Sequence, residues 1–336
     1  LELLSELLRD PEIEEEKMDI PYDNAKASRK VERSEPDNVA SALFQYVLFK
    51  EKSDFINRLK LREIKKLEAN GMTTAFKKAL GYEVQVHYFG AKGPEEVFDL
   101  FTNTIQINDE LKATNSPVIR KAEKYTKNKV YFVKKRKAVQ SKVYFFANGF
   151  EYDLEDAAKL EAFNLYFGGG FSGLVMQEIR EYRSLAYAAA GMFSTPRKNR
   201  SPSYFYGYVG TQADKTMEAV KTFHGLVREM PEKPERMKMI NDFLTFSAIT
   251  DRPNFRNLST QIVNWKIKGY ESDPLSFKMD AYKNLQFDDI VEFYKQNLQS
   301  NPMVIAVVGD KKQIDLKELE TYGEVVKIRE KKLFTK

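Results

Sequence analysis

Apolar residues recur at two different periods along the chain, and those periods define the elements. Pro36-Asp37-Asn38 supplies a helix start before Val39, Leu43, Tyr46 and Val47, and Leu59, Ile64, Leu67, Phe76 and Leu80 extend an apolar helical face. Gly81 then punctuates, Tyr82–Phe89 alternates as a strand does, and Pro94–Phe101 reads as a helix. The same order returns near the other end. Leu285–Tyr294 is a helix, Met303–Val308 a strand, Gly309 a turn and Asp315–Leu319 a helix. Leu67 to Gly90 spans 23 residues and Leu285 to Gly309 spans 24, which suggests two copies of one unit. Helix–strand–helix units are common enough that chance also produces such a match.

Between the copies, Val130–Val133 and Lys142–Phe146 flank a basic turn, as in a hairpin. A helix is expected from about Leu154 to Phe167, followed by a glycine cluster. Leu174–Arg183 reads as a helix, Leu185–Phe193 as a strand and Ser203–Gly210 as a strand with Tyr204, Tyr206 and Tyr208 on one face. Helices follow at about 214–230 and 234–250, separated by Pro231 and Pro234. The expected fold is α+β, with two related domains, each a mainly antiparallel sheet packed by helices. Residues 1–124 would be the C-terminal part of an incomplete first domain plus a linker, and 125–336 a complete second domain. A length of 336 residues fits that number at ~150 residues per domain.

Residue counts then remove whole classes of chemistry. The chain has no Cys and two His, His87 and His224, so thiolate catalysis, disulfides and cysteine-ligated zinc are excluded. Neither His has a second one at the spacing that places two imidazoles on one helical face, so both read as structural or surface residues and no metal site is expected in this chain. Absence of Cys suits a bacterial periplasm and a cytoplasm equally. No run approaches the ~20 apolar residues of a membrane span. The chain opens at Leu1 inside an amphipathic helix (Leu3, Leu4, Leu7, Leu8), which suggests a fragment or a processed product.

Charge is unevenly placed. Residues 1–20 hold eight acidic and two basic side chains, whereas 112–142 hold eleven basic and one acidic. Such a stretch attracts nucleic acid or anionic lipid in some proteins. A solvated linker entering a hairpin accounts for it better, and no nucleic-acid partner is expected.

The run Gly168-Gly169-Gly170-Phe171-Ser172-Gly173 invites a nucleotide-binding reading. It lacks the Lys of a phosphate-binding loop, and it follows a helix where a dinucleotide loop follows a strand. A tight connection needing positive φ or close backbone approach fits better.

Residues around that run are more specific. Asn164-Leu165-Tyr166-Phe167-Gly168-Gly169-Gly170-Phe171-Ser172-Gly173-Leu174, leading into Ile179-Arg180-Glu181-Tyr182-Arg183-Ser184-Leu185-Ala186-Tyr187, resembles the insulinase/pitrilysin zinc metallopeptidases, specifically their C-terminal, zinc-free half. The likeness extends to Gln140-Ser141, Thr211–Lys215 and Ile305–Asp310. It implies four related α+β domains paired as two halves around a peptide-holding chamber. The zinc-bearing half carries an H-x-x-E-H helix, and the other carries an Arg and a Tyr seven residues apart, here Arg180 and Tyr187.

The resemblance assigns Arg180 and Tyr187 to substrate carbonyl and transition-state binding, opposite zinc held in a partner half. That half would belong to the same polypeptide or to a separate subunit. Donors aimed at a carbonyl oxygen on which charge develops are worth about 3–4 kcal/mol each when well placed. Without the resemblance, Arg180 would read as a cation favoured at a helix C-terminus and Tyr187 as a half-buried strand aromatic. The Tyr204/Tyr206/Tyr208 stripe offers a weaker expectation, a peptide-binding wall, against the common alternative of a sheet face under helices. H-x-x-E-H is absent here. Either another segment or subunit supplies it, or the assembly is a non-catalytic peptide-binding or assembly protein of the same fold.

Overall fold

The computed structural model describes residues 1–105, 111–113 and 119–335, so residues 114–118 of the basic stretch lie outside the described residues. The N-terminal helices are α1 (Glu2–Arg9), α2 (Asp19–Ser34), α3 (Pro36–Phe49), α4 (Leu61–Ile64), α5 (Ala69–Ala79) and α6 (Pro94–Thr104). Strands β1 (Lys129–Lys134) and β2 (Gln140–Tyr152) follow, then α7 (Ala157–Gly168), β3 (Ala186–Phe193) and β4 (Ser201–Gln212). The rest comprises α8 (Thr216–Arg228), α9 (Met237–Thr250), α10 (Leu258–Lys268), α11 (Pro274–Asn284), α12 (Phe287–Tyr294), β5 (Met303–Gly309), α13 (Leu316–Glu320) and β6 (Glu324–Ile328).

Six strands form one sheet in the order β3-β4-β2-β5-β1-β6. Pairs β3–β4, β4–β2 and β2–β5 are antiparallel, and β5–β1 and β1–β6 are parallel. The α+β class and the mainly antiparallel sheet are as expected. One expected strand does not form: Tyr82–Phe89 makes only an isolated bridge, Tyr82 to Lys112. Val84, Val86, Tyr88 and Phe89 remain exposed, because an alternating segment becomes a strand only where a partner edge meets it. The spacing match with the second unit therefore holds for its helices and not for its strand. Among the described residues, every strand of the sheet comes from 129–328.

Period-2 alternation gives the sheet two buried faces. Val130, Phe132, Val143, Phe145, Ile305 and Val307 join α7, α8 and α12 in the larger core. Tyr131, Val133, Phe146, Val304, Ala306 and Val308 point the other way, onto Val39, Leu43 and Val47 of α3. Burial on both faces explains why β5 reads as an unbroken apolar run, Met303–Gly309. Each fully buried Val or Leu of α3 contributes about 1.5–3 kcal/mol, so α3 is a substantial part of this core.

His224 stands on α8 with its ring edge-on to Tyr322 at 5.0 Å. Burial, aided by the nearby Arg228 charge, pushes its imidazole down to about 4. The unfolded chain would take up that proton near 6.5, so the folded state gains nothing from it between those values. Stability is therefore full above pH 6.5 and falls as pH drops toward 4, by about 3 kcal/mol from this group. Urea midpoints at pH 7.5 and 4.5 should fall less in His224→Gln than in the parent.

Candidate functional site

Arg180 and Tyr187 meet because two local irregularities aim them at each other. After α7, the glycine run turns the chain back sharply; Gly170 has φ +56°, a region open to Gly at little cost. The next helix is wound as a π-helix over Met176–Glu181, which shifts side-chain phase relative to an α-helix. Ile179 points into the core at 0% exposure while Arg180 stays at the surface. Ser184, at φ +50°, then reverses the chain into β3.

The second irregularity is a bulge. Ala186 faces Thr211 and Ala188 faces Gly210, so Tyr187 has no residue of its own opposite on β4. Tyr187 and Ala188 are exposed in succession, against the strand's alternation, and Tyr187 is 83% exposed. Its ring lies 5.1 Å from the Arg180 guanidinium carbon, and the Phe171 ring lies 5.5 Å from the same carbon. Phe171, 72% exposed, is a third member that the sequence reading did not single out. The signal was there: one large aromatic residue within a run of small ones. A guanidinium stacked on rings keeps its in-plane N–H donors free. The ion pair of Arg180 is to the half-exposed Glu181, Nε to Oε1 at 3.4 Å.

β3 is the terminal strand of the sheet, and its outer edge is partly closed. The Asn164 amide donates to the Phe193 carbonyl (3.0 Å) and accepts from the Phe193 N–H (2.8 Å), copying a strand pairing. Gly168 closes the adjoining position, since a Cβ there would overlap the Gly191 carbonyl oxygen. Among the described residues, nothing pairs with the Tyr187 end. Removing this amide should free two backbone groups: Asn164→Ala is expected to cost about 1–3 kcal/mol. Amide exchange at Phe193 should accelerate in that variant before exchange in β4 does.

Tyr204, Tyr206 and Tyr208 are not gathered at this site. They lie half-buried beneath α3: Tyr206 is 6.4 Å from Phe44, Tyr204 5.8 Å from Phe146, and the Tyr208 hydroxyl donates to Asp37 at 3.2 Å. Burial, with the Asp37 carboxylate nearby, raises the Tyr208 phenol above its ordinary range. The chain's own helix thus occupies the face that was expected to hold peptide.

Among the described residues, no group of three His, Asp or Glu side chains is placed to hold a metal ion, so the side chains here do not fit a zinc site. Cross-strand register also places Ala186, Thr211, Ser141, Gly309 and Lys134 in one row at a single end of the sheet. The Gln140-Ser141, Thr211–Lys215 and Ile305–Asp310 segments therefore lie along the same end of the sheet as Tyr187, with Thr216 Oγ1 donating to Ser141 Oγ at 2.7 Å.

Residues 87–236 match the peptidase M16 inactive domain, a stretch that contains the glycine run, Arg180, Tyr187 and the bulge. That stretch, somewhat under half of the chain, is similar to the M16 inactive domain. A non-peptidase homolog of Helicobacter pylori, YmxG, is 22% identical over 223 residues, covering 65% of this chain and 50% of that protein. The chain thus spans about half the length of the curated relative it matches. A peptidase M16 inactive domain from Pseudomonas fluorescens superposes with a TM-score of 0.68 at 16% identity, over 92% of this chain and 74% of that one. The periplasmic protease PqqL of Escherichia coli gives 0.64 at 14%, over 92% and 34%. At such identities the likeness is one of fold. The proteins that this chain resembles include a protease and a non-peptidase, so function has to be argued from the site. No helix among the described residues is long and apolar enough to cross a membrane.

Proposed function

We propose that this chain is the zinc-free, substrate-holding half of a zinc metallopeptidase, and that Arg180 and Tyr187 bind the carbonyl of a peptide opposite a hydrolytic centre carried elsewhere. The observation behind the reading is the exposed Tyr187 ring, lifted by the bulge to 5.1 Å from the Arg180 guanidinium. A scaffold gains little from an exposed aromatic–cation pair at a free sheet edge. A site that places donors around one oxygen atom needs such a pair. The open Tyr187 end of β3 offers backbone N–H and C=O groups to an extended peptide, with Asn164 marking where pairing stops. Residues 1–124 are taken as the C-terminal part of a first related domain, and 125–336 as the second. The partner is the half bearing H-x-x-E-H, joined in the same polypeptide or separate.

The alternative is a non-catalytic peptide-binding or assembly protein, favoured by the likeness to the non-peptidase YmxG. Mixing the chain with its H-x-x-E-H partner and following a quenched fluorescent peptide separates the two. Cleavage that needs both chains supports the peptidase reading. Equal cleavage by the partner alone removes it, and peptide binding without cleavage selects the alternative.

A further inference from the structure

The basic stretch of the sequence separates into two populations in the structure. Several of its cations are committed: Lys129 to Glu324, Lys135 to Glu330, Lys142 to Asp37 and Arg120 to Asp54. Lys134, Arg136 and Lys137 are different. The turn after β1 brings them against Lys311 and Lys312, which follow β5 more than 170 positions later, around a cleft of about 440 Å³. None of these five side chains is ion-paired among the described residues.

Asp310, the one carboxylate lining the cleft among the described residues, is already engaged. It accepts the backbone N–H of Lys137 at 2.7 Å and that of Lys312 at 3.1 Å, and so pins the two turns together. Those two hydrogen bonds, with the charges of Lys312 and Lys134, hold its carboxyl below the usual range. Five cations around one committed anion give a concave, strongly positive surface, which concentrates negative ligands.

Two observations narrow the ligand. Among the described residues, no aromatic side chain lines the cleft, so bases of a single-stranded nucleic acid would find no stacking platform there. The cleft also shares its end of the sheet with Tyr187: the row Ala186–Thr211–Ser141–Gly309–Lys134 crosses four strand spacings, roughly 19 Å at ~4.8 Å each. A peptide that leaves the edge beside Tyr187 and turns across this end of the sheet covers that distance in about six residues.

We propose that Lys134, Arg136, Lys137, Lys311 and Lys312 form a subsite for an acidic segment of a peptide, about six residues from the residue held at Arg180 and Tyr187. This rests on the carbonyl-binding reading of that pair and adds the substrate class: peptides with clustered Asp or Glu at one side of the bound residue.

Fluorescence anisotropy on the full chain tests it, using a labelled twelve-residue peptide ending in four Glu and its four-Gln analogue. The parent is expected to bind the Glu peptide about tenfold more tightly at low salt, and the difference should shrink toward unity by ~0.5 M salt. Arg136→Glu with Lys312→Glu should abolish the preference and leave Gln-peptide binding intact. Lys221→Glu with Lys283→Glu, an equal charge change elsewhere, should retain the preference. Equal binding of both peptides by the parent overturns the proposal, as does a preference that survives Arg136→Glu/Lys312→Glu. Tighter binding of a single-stranded oligonucleotide than of the Glu peptide, lost in that same variant, also overturns it. Arg180→Ala reports separately, through cleavage by the chain mixed with its H-x-x-E-H partner: an unchanged kcat/KM removes the carbonyl-binding reading, whatever the charge preference.

Discussion

Under the proposed peptidase role, Arg180→Ala should lower kcat/KM of the chain mixed with its H-x-x-E-H partner by about a hundredfold to a thousandfold, the usual cost of losing one donor aimed at a developing oxyanion. The loss should fall on kcat, because such a donor matters most where charge is greatest. Arg180→Lys should recover little: an ammonium keeps the charge but loses the planar fork and its stacking on Phe171 and Tyr187. Tyr187→Phe retains the ring beside the guanidinium and removes only the hydroxyl, so a smaller fall, about tenfold, is expected. Tyr187→Ala should approach the Arg180→Ala value, since it removes the hydroxyl and the surface that orients the guanidinium. Among the described residues, the Arg180 side chain has a polar contact only with the half-exposed Glu181, so the melting temperature should barely move in any of these variants. If Arg180→Ala leaves kcat/KM within about twofold of the parent, the pair has no part in hydrolysis.

A different substitution should damage the fold itself. Gly168→Ala places a methyl group onto the Gly191 carbonyl oxygen, a backbone atom with no rotamer by which to escape. Relief requires moving α7 away from β3, and α7 carries Leu160, Phe163 and Phe167 into the core at 0% exposure. Overpacking of a side chain typically costs 1–3 kcal/mol, and a clash with main chain lies at or above the top of that range, about 3 kcal/mol. The urea midpoint should drop with little change in slope. An unchanged midpoint would mean that the α7–β3 approach is looser than the structure has it. Gly225→Ala, where a new Cβ meets nothing, is the control and should be neutral or mildly stabilising.

These two residues mark what sequence could and could not supply. The strands at 130–133, 142–146, 185–193, 203–210 and 303–308 were legible because the sheet is buried on one or both faces, and burial imposes a readable alternation. β6 escaped notice: Glu324-Val325-Val326-Lys327-Ile328 is short, charged and at an edge. α10 and α11 escaped too, because neither turns a strongly apolar face to the core. Val84–Phe89 misled for the converse reason, carrying the pattern without a partner strand. At the site, the seven-residue spacing of Arg180 and Tyr187 was recognised by likeness. Their contact depends on a π-winding and a bulge, which arise from packing between distant segments and leave no local signature. The Tyr204/Tyr206/Tyr208 alternation was legible, but which body covers that face was not.

The seat of α3 bears on how the molecule can be taken apart. In sequence, residue 124 looks like a seam, with helices before it and every described strand after it. In three dimensions, Val39, Leu43 and Val47 shield Tyr131, Val133, Val304, Ala306 and Val308 from water. A fragment beginning at residue 125 would expose that whole apolar face, a surface suited to self-association. A nick in the chain between α3 and β1 would leave the pieces held together by the same contact. The seam lies in the linear order of residues; the folded body crosses it without a break.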